Sequence, residues 1–188
     1  MKMRNKLKHW LLQKLLGILR NIATDTDKAM LYNDLRKASE KKVYNDYKEK
    51  YSIHSSFIFK GEKIVLYGEG NIITGQNSYI GNYSTIQVGE GQKVIIGNNC
   101  SISHNVRIYT TSVDSNQDFN SDSPKKMKRG DVVICDGVWI GANVFINPGV
   151  TIGENAIVGA NSVLVRDVEP FAIYGGVPAK FIKKKQIK

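Results

Sequence analysis

Histidine, cysteine and proline are scarce in this chain of 188 residues, which holds three, two and four of them. Cys100 and Cys135 have no metal-ligand spacing, and with no sign of export they are expected to be reduced, partly buried thiols. Long apolar runs are missing too. No stretch approaches about 18 uncharged apolar residues, so a membrane span is not expected. The segment MKMRNKLKHWLLQKLLGILRN has a basic start and an apolar middle, but Lys14 interrupts the run and no small-residue cleavage site follows. It does not read as a signal peptide, and a cytoplasmic protein is expected. Acidic residues are outnumbered, 17 against 27 basic, giving a net charge of +10 concentrated at the N-terminus and in KFIKKKQIK. Such clusters suit anionic partners. No nucleic-acid motif accompanies them, so nucleic acid is not expected as a partner, and a solvated, solubilising face is the alternative.

What is present divides the chain in two. Residues 1–55 read as a helical region: Leu7, Trp10, Leu11, Leu15, Ile18 and Ile22 recur at spacings of three and four, opposite Lys6, Lys14 and Arg20. Thr24, Asp25 and Asp27 are helix starters, followed by an apolar stripe through Met30, Leu31 and Leu35. A basic amphipathic helix of this kind either packs on protein or makes peripheral contact with an anionic membrane, at the inner face for a cytoplasmic protein.

Beyond residue 60 the texture changes, and aliphatic residues recur on a beat of six: Ile134, Ile140, Ile146, Ile152, Val158 and Leu164. Four residues after the first five come Val138, Val144, Val150, Ala156 and Ser162. An earlier series, Ile96, Ile102 and Ile108, has Cys100, Val106 and Ser112 at that offset, and Ile80 and Ile86 flank Ser84. Six is neither the helical nor the strand period. Three such hexads make one triangular coil, and successive coils stack as parallel strands about 4.8 Å apart with the aliphatic residues on the axis. Gly or Asn at the corners tolerates the turn conformations.

The stretches VWIGANVFINPGVTIGENAIVGANSVLVRDV and GGVPAKFIKK resemble the hexapeptide-repeat acyltransferases, notably galactoside, maltose and polysaccharide O-acetyltransferases. That resemblance implies a left-handed parallel β-helix over 60–182, an all-β core with an inserted loop at about 111–131 and a basic tail at 183–188. It also implies homotrimers with active sites between subunits, acetyl-CoA as co-substrate, and a loop that reaches a neighbouring subunit. No metal is expected, because the zinc-binding variant of this prism needs three histidines and His9, His54 and His104 are not so placed.

Subtracting each hexad start puts His104, Ala142 and Ala160 at the third position of hexads that stack on one face. The resemblance implies that Ala142 and Ala160 line a pantetheine channel and that Val165, Arg166 and Lys180 meet the nucleotide phosphates. A backbone N–H near Gly141 or Ala142 is the expected oxyanion donor. The family's catalytic histidine falls on Val113, which cannot accept a proton, and three routes remain open: His104 as base, Asp114 as a basic or orienting carboxylate, or an amine acceptor that needs no base. Lys125, Lys126, Lys128 and Arg129 suit an anionic acceptor or a solvated loop. The resemblance places Trp139 beside the acceptor, while Asn105, Tyr83 and Ser84 can supply hydrogen bonds to it. The expected function is O-acetylation of a sugar hydroxyl in surface-polysaccharide or glycan assembly. The alternatives are N-acetylation of a nucleotide-linked aminosugar and a prism that binds without catalysing.

Overall fold

A computed structural model describes residues 2–22 and 24–186, with the side chains of residues 6, 9–20 and 24–186. The side chains of Leu7 and Ile22 and the last two residues of the basic tail lie outside the described residues. The chain forms two compact units, residues 1–42 and 43–188. The first holds helix α1 (Lys2–Ile22) and most of α2 (Asp25–Lys50). Thr24 caps α2 reciprocally: its Oγ1 accepts the Asp27 N–H (3.2 Å), and Asp27 Oδ2 accepts the Thr24 N–H (2.9 Å). Two orphan donors are thereby satisfied, and the Thr24 hydroxyl and amide hold the Asp27 carboxyl below the usual carboxylate range.

In the second unit the end of α2 covers the first coil of a parallel β-prism. Tyr44 stacks on Phe59 at 4.6 Å, and its hydroxyl donates to the Gly61 carbonyl at 2.9 Å. The prism has three faces. Face 1 stacks Ser52–Ile53, Asn71–Thr74, Lys93–Ile96, Val132–Ile134 and Thr151–Ile152. Face 2 runs from Ile58–Lys60 through Tyr79–Gly81, Ser101–Ile102, Trp139–Ile140 and Ile157–Val158 to Ala172–Gly175, and Lys180–Lys184 returns antiparallel on its edge. Face 3 stacks Val65–Tyr67, Thr85–Gln87, Arg107–Tyr109, Phe145–Ile146 and Val163–Leu164.

The register follows the beat of six. Ile134 pairs with Ile96 and Ile152, Ile140 with Ile102 and Val158, and Ile146 with Ile108 and Leu164. All are buried. Each such side chain contributes about 1.5–3 kcal/mol by leaving water, so the axis is a continuous aliphatic core. At the corners the fourth residue of the hexad is left-handed, as at Asn99, Asn105, Asn143, Asn155 and Asn161, where the short amide side chain tolerates a positive φ.

Three boundaries differ from expectation. The first coil begins at Ser52, ahead of residue 60, because Phe57, Ile64 and Leu66 fill the axis without keeping the six-residue beat. Ser112 does not continue its series. The chain leaves the prism after buried Thr110, and Thr111–Val113 pairs antiparallel with Met127–Arg129 as an arm that returns at Val132. Lys183 and Lys184, counted with the basic tail, belong to the returning strand.

Candidate active site

His104, Ala142 and Ala160 share the corner between faces 2 and 3. The His104 carbonyl accepts the Asn143 N–H (3.0 Å), and the Ala142 carbonyl accepts the Asn161 N–H (2.8 Å). The Asn105 side-chain amide donates to Asn143 (2.9 Å) and that of Asn143 to Asn161 (2.9 Å), which holds the three coils in phase. The His104 ring is exposed and has no hydrogen-bond partner among the described residues. It lies back over Gly81, where an added Cβ would come within 2.8 Å of Nδ1.

The corner between faces 1 and 2 shows what is unusual here. Its third positions are Gln76, Asn98, Asp136 and Glu154. Asn98 Oδ1 accepts the Gln76 N–H (2.8 Å), and Asp136 Oδ1 accepts the Asn98 N–H (2.8 Å), so polar side chains cap the backbone of the coil before. Asn98 in turn holds the Asp136 carboxyl below the usual range. A corner of this prism therefore carries long polar residues without difficulty. At the His104 corner the alanines have no such cap to offer, and among the described residues the N–H groups of His104, Ala142 and Ala160 have no partner. His104 and Ala160 are exposed and Ala142 is half-buried, so these N–H groups face solvent at low cost and are available to donate to a carbonyl laid along the corner.

Beside this column runs another of small residues on the outside of face 2: Gly81, Ser103, Gly141, Gly159 and Gly175. Gly141 is required by the fold, since a Cβ there would sit 2.6 Å from Ala160 N. Gly159 is not: its nearest neighbour would be 3.5 Å away. Gly141→Ala is expected to destabilise the protein by about 1–3 kcal/mol while Gly159→Ala stays within roughly 0.5 kcal/mol, a contrast that denaturant melts of the two variants will test.

Arg166 and Lys180 meet at the last coil, where they line a cavity of about 260 Å3 with Tyr174, Pro178, Ala179 and Phe181. Neither cation has an ionic partner among the described residues. Val165 lies next to Arg166 but does not line this cavity. Trp139 stands outward on face 2, paired beside Ser101 and Ile157 and two residues before Gly141, so it borders the small-residue strip. Tyr79 stands in the same outward column, across Ser101 from Trp139. Sequence reasoning missed it, and only the register of the second coil could have shown it.

The remaining expected residues divide. Tyr83 shares the His104 corner one coil earlier, exposed, with its hydroxyl donating to Glu62 Oε1 (2.9 Å). Ser84 must be withdrawn as an acceptor contact: it is fully buried, donating to the Ser103 carbonyl (3.3 Å) and accepting the Val106 N–H (3.1 Å). Gly141 must be withdrawn as oxyanion donor, because its N–H is used by the Val158 carbonyl at 2.8 Å. Asp114 sits on the arm, which leaves the corner between faces 3 and 1, and its Oδ1 accepts the Asn116 N–H (2.9 Å). One protomer thus places His104 and Asp114 at different corners. Val113 is on the arm too, outside the hexads. The thiols are weak nucleophiles, since burial pushes Cys100 up, and burial with the Asp136 and Glu154 carboxylates pushes Cys135 up. Among the described residues no three His, Cys, Asp or Glu side chains are grouped as metal ligands.

Comparison with known proteins agrees with this geometry. Residues 131–166 match the family described as bacterial transferase hexapeptide (six repeats). A putative acetyltransferase of Saccharomyces cerevisiae is 36% identical over 158 residues, covering 81% of this chain and 76% of that protein. The galactoside O-acetyltransferase of Escherichia coli K12 is 35% identical over 114 residues, 61% of this chain, and the match spans 54% of that enzyme's length. A hexapeptide-repeat-containing acetyltransferase from Vibrio cholerae, solved with acetyl coenzyme A, is 28% identical with a TM-score of 0.69, covering 79% of each chain. With the yeast protein matched along most of both chains, the hexapeptide repeats matched at residues 131–166 and the fold shared with the Vibrio cholerae acetyltransferase, this chain belongs to the hexapeptide-repeat transferase family and has its left-handed parallel β-helix.

Proposed function

We propose that the protein is an acetyl-CoA-dependent O-acetyltransferase acting on a sugar hydroxyl in surface-polysaccharide or related glycan assembly. The observation that carries this reading is the strip of small residues with unpartnered N–H groups at Ala142 and Ala160, ending at the imidazole of His104. A pantetheine arm is narrow and rich in carbonyls. It needs room against the backbone and donors at intervals, and the strip offers both. Arg166 and Lys180 suit the phosphates at the other end of the carrier.

The chemistry then follows from position. Neutral His104 takes the proton of the acceptor hydroxyl as its oxygen attacks the thioester carbonyl. The Ala142 N–H is the available donor for the oxyanion that forms, since that of Gly141 is engaged. Collapse of the tetrahedral intermediate breaks the carbon–sulfur bond, and the imidazolium returns its proton to the departing thiolate. Trp139 offers an aromatic face for the sugar ring. The arm leaves a different corner from the one that holds His104, which suits its delivery to a neighbouring protomer in a homotrimer.

The corner between faces 1 and 2 supplies the test. Ala160→Asn copies Asn98 and should cap the Ala142 N–H with its own carbonyl, leaving the fold intact while closing the strip. The expected result is an unchanged melting temperature and an acetyl-CoA KM raised about tenfold, the equivalent of one lost hydrogen bond. A thermal melt reads the first, and free-thiol release with hydroxyl and amino acceptors reads the second and decides between O- and N-transfer. An unchanged KM would remove the strip as the carrier site.

A further inference from the structure

Helix α1 carries Lys2, Arg4, Lys6, Lys8, Lys14 and Arg20 and no acidic residue. Within its own unit it meets α2 through Leu16, Gly17 and Arg20, which with Leu31 and Leu35 line a cleft of about 490 Å3. Trp10, Leu11, Leu15 and Ile18 turn away from α2. At a helical turn of about 100° per residue they fall within one arc of roughly 140°. Each is more than half exposed. Lys14, expected opposite the apolar stripe, stands instead inside that arc, with Nζ 4.4 Å from the centroid of the Trp10 ring. Such a long side chain lays its stem along apolar surface and keeps its charge at the edge of it.

We propose that α1 lies flat on an anionic bilayer, with Trp10, Leu11, Leu15 and Ile18 entering the interfacial layer and the cations meeting lipid phosphates. Charge decides the occupant. A second copy of the chain would bring one helix without acidic residues against another like it, whereas anionic headgroups neutralise its cations. The helix is an in-plane element, because no helix of the described residues is long and apolar enough to cross a membrane.

Flotation of the full-length protein tests this with vesicles of phosphatidylcholine alone or with roughly one third phosphatidylglycerol. The protein is expected to float with the anionic vesicles, to stay behind with the neutral ones, and to detach as salt rises. Leu15→Glu combined with Ile18→Glu should cut the bound fraction about tenfold, with free-thiol release in solution unchanged. Equal flotation of wild type and double variant overturns the proposal, as does equal binding to neutral vesicles. Absence of flotation together with a lower particle mass of the double variant overturns it in favour of contact between copies.

Discussion

Replacing His104 with alanine is expected to lower kcat for a hydroxyl acceptor about 10²–10⁴-fold, the usual worth of a positioned base. The KM for acetyl-CoA should hardly move, because the strip proposed for the carrier is built from Gly141, Ala142, Gly159 and Ala160 and not from the imidazole. The melting temperature should not move either: the ring is exposed and, among the described residues, bonds to nothing. An amine acceptor, already nucleophilic when neutral, should lose much less. A variant with full activity on hydroxyl acceptors would show that His104 is not the base and return the role to Asp114 of an adjoining protomer or to the acceptor itself.

The largest effect on stability is expected at Ile140→Ala, about 2–5 kcal/mol, since Ile140 is fully buried between Ile102 and Val158 in the middle of its ladder. For a chain of this size each kcal/mol lowers the melting temperature by roughly 2–4 °C. Val133→Ala, one residue before Ile134 on the half-buried outer side of face 1, should cost well under half as much. Equal losses at the two positions, read by thermal melting, would mean that the axis of the prism is not its main source of stability.

The beat of six was enough to place the prism, because an inward residue recurs only where the chain closes a triangle. The pairings of Ile134 with Ile152 and of Ile140 with Val158 are those that counting by six requires, and those of Ile134 with Ile96 and Ile140 with Ile102 follow once the inserted arm of about 20 residues is set aside. The same count brought His104, Ala142 and Ala160 to one corner. Counting failed where the beat is broken. The first coil keeps its axis filled with Phe57, Ile64 and Leu66 at irregular spacing, so nothing periodic announces it. Ser84 is a different case: its hydroxyl suggests a group free to bind, but it holds the fifth position that Val138, Val144, Val150 and Ala156 hold elsewhere, and that position points inward. Which N–H groups are engaged is a property of the next coil, so the sequence leaves both Gly141 and Ala142 open as oxyanion donors and has no signal that the Gly141 N–H is taken.

The arm between Thr110 and Val132 carries a wider lesson about how this molecule can grow. It departs from one edge and comes back to the same edge, with the Gly130 N–H tied to the Thr110 carbonyl at 3.0 Å and Val132 seated beside Val94. Everything downstream therefore keeps its phase. An insertion of one complete winding would lengthen the column harmlessly, whereas one of a third of a winding would rotate Ala142 and Ala160 onto the neighbouring wall, leaving the proposed carrier strip and the imidazole on different sides.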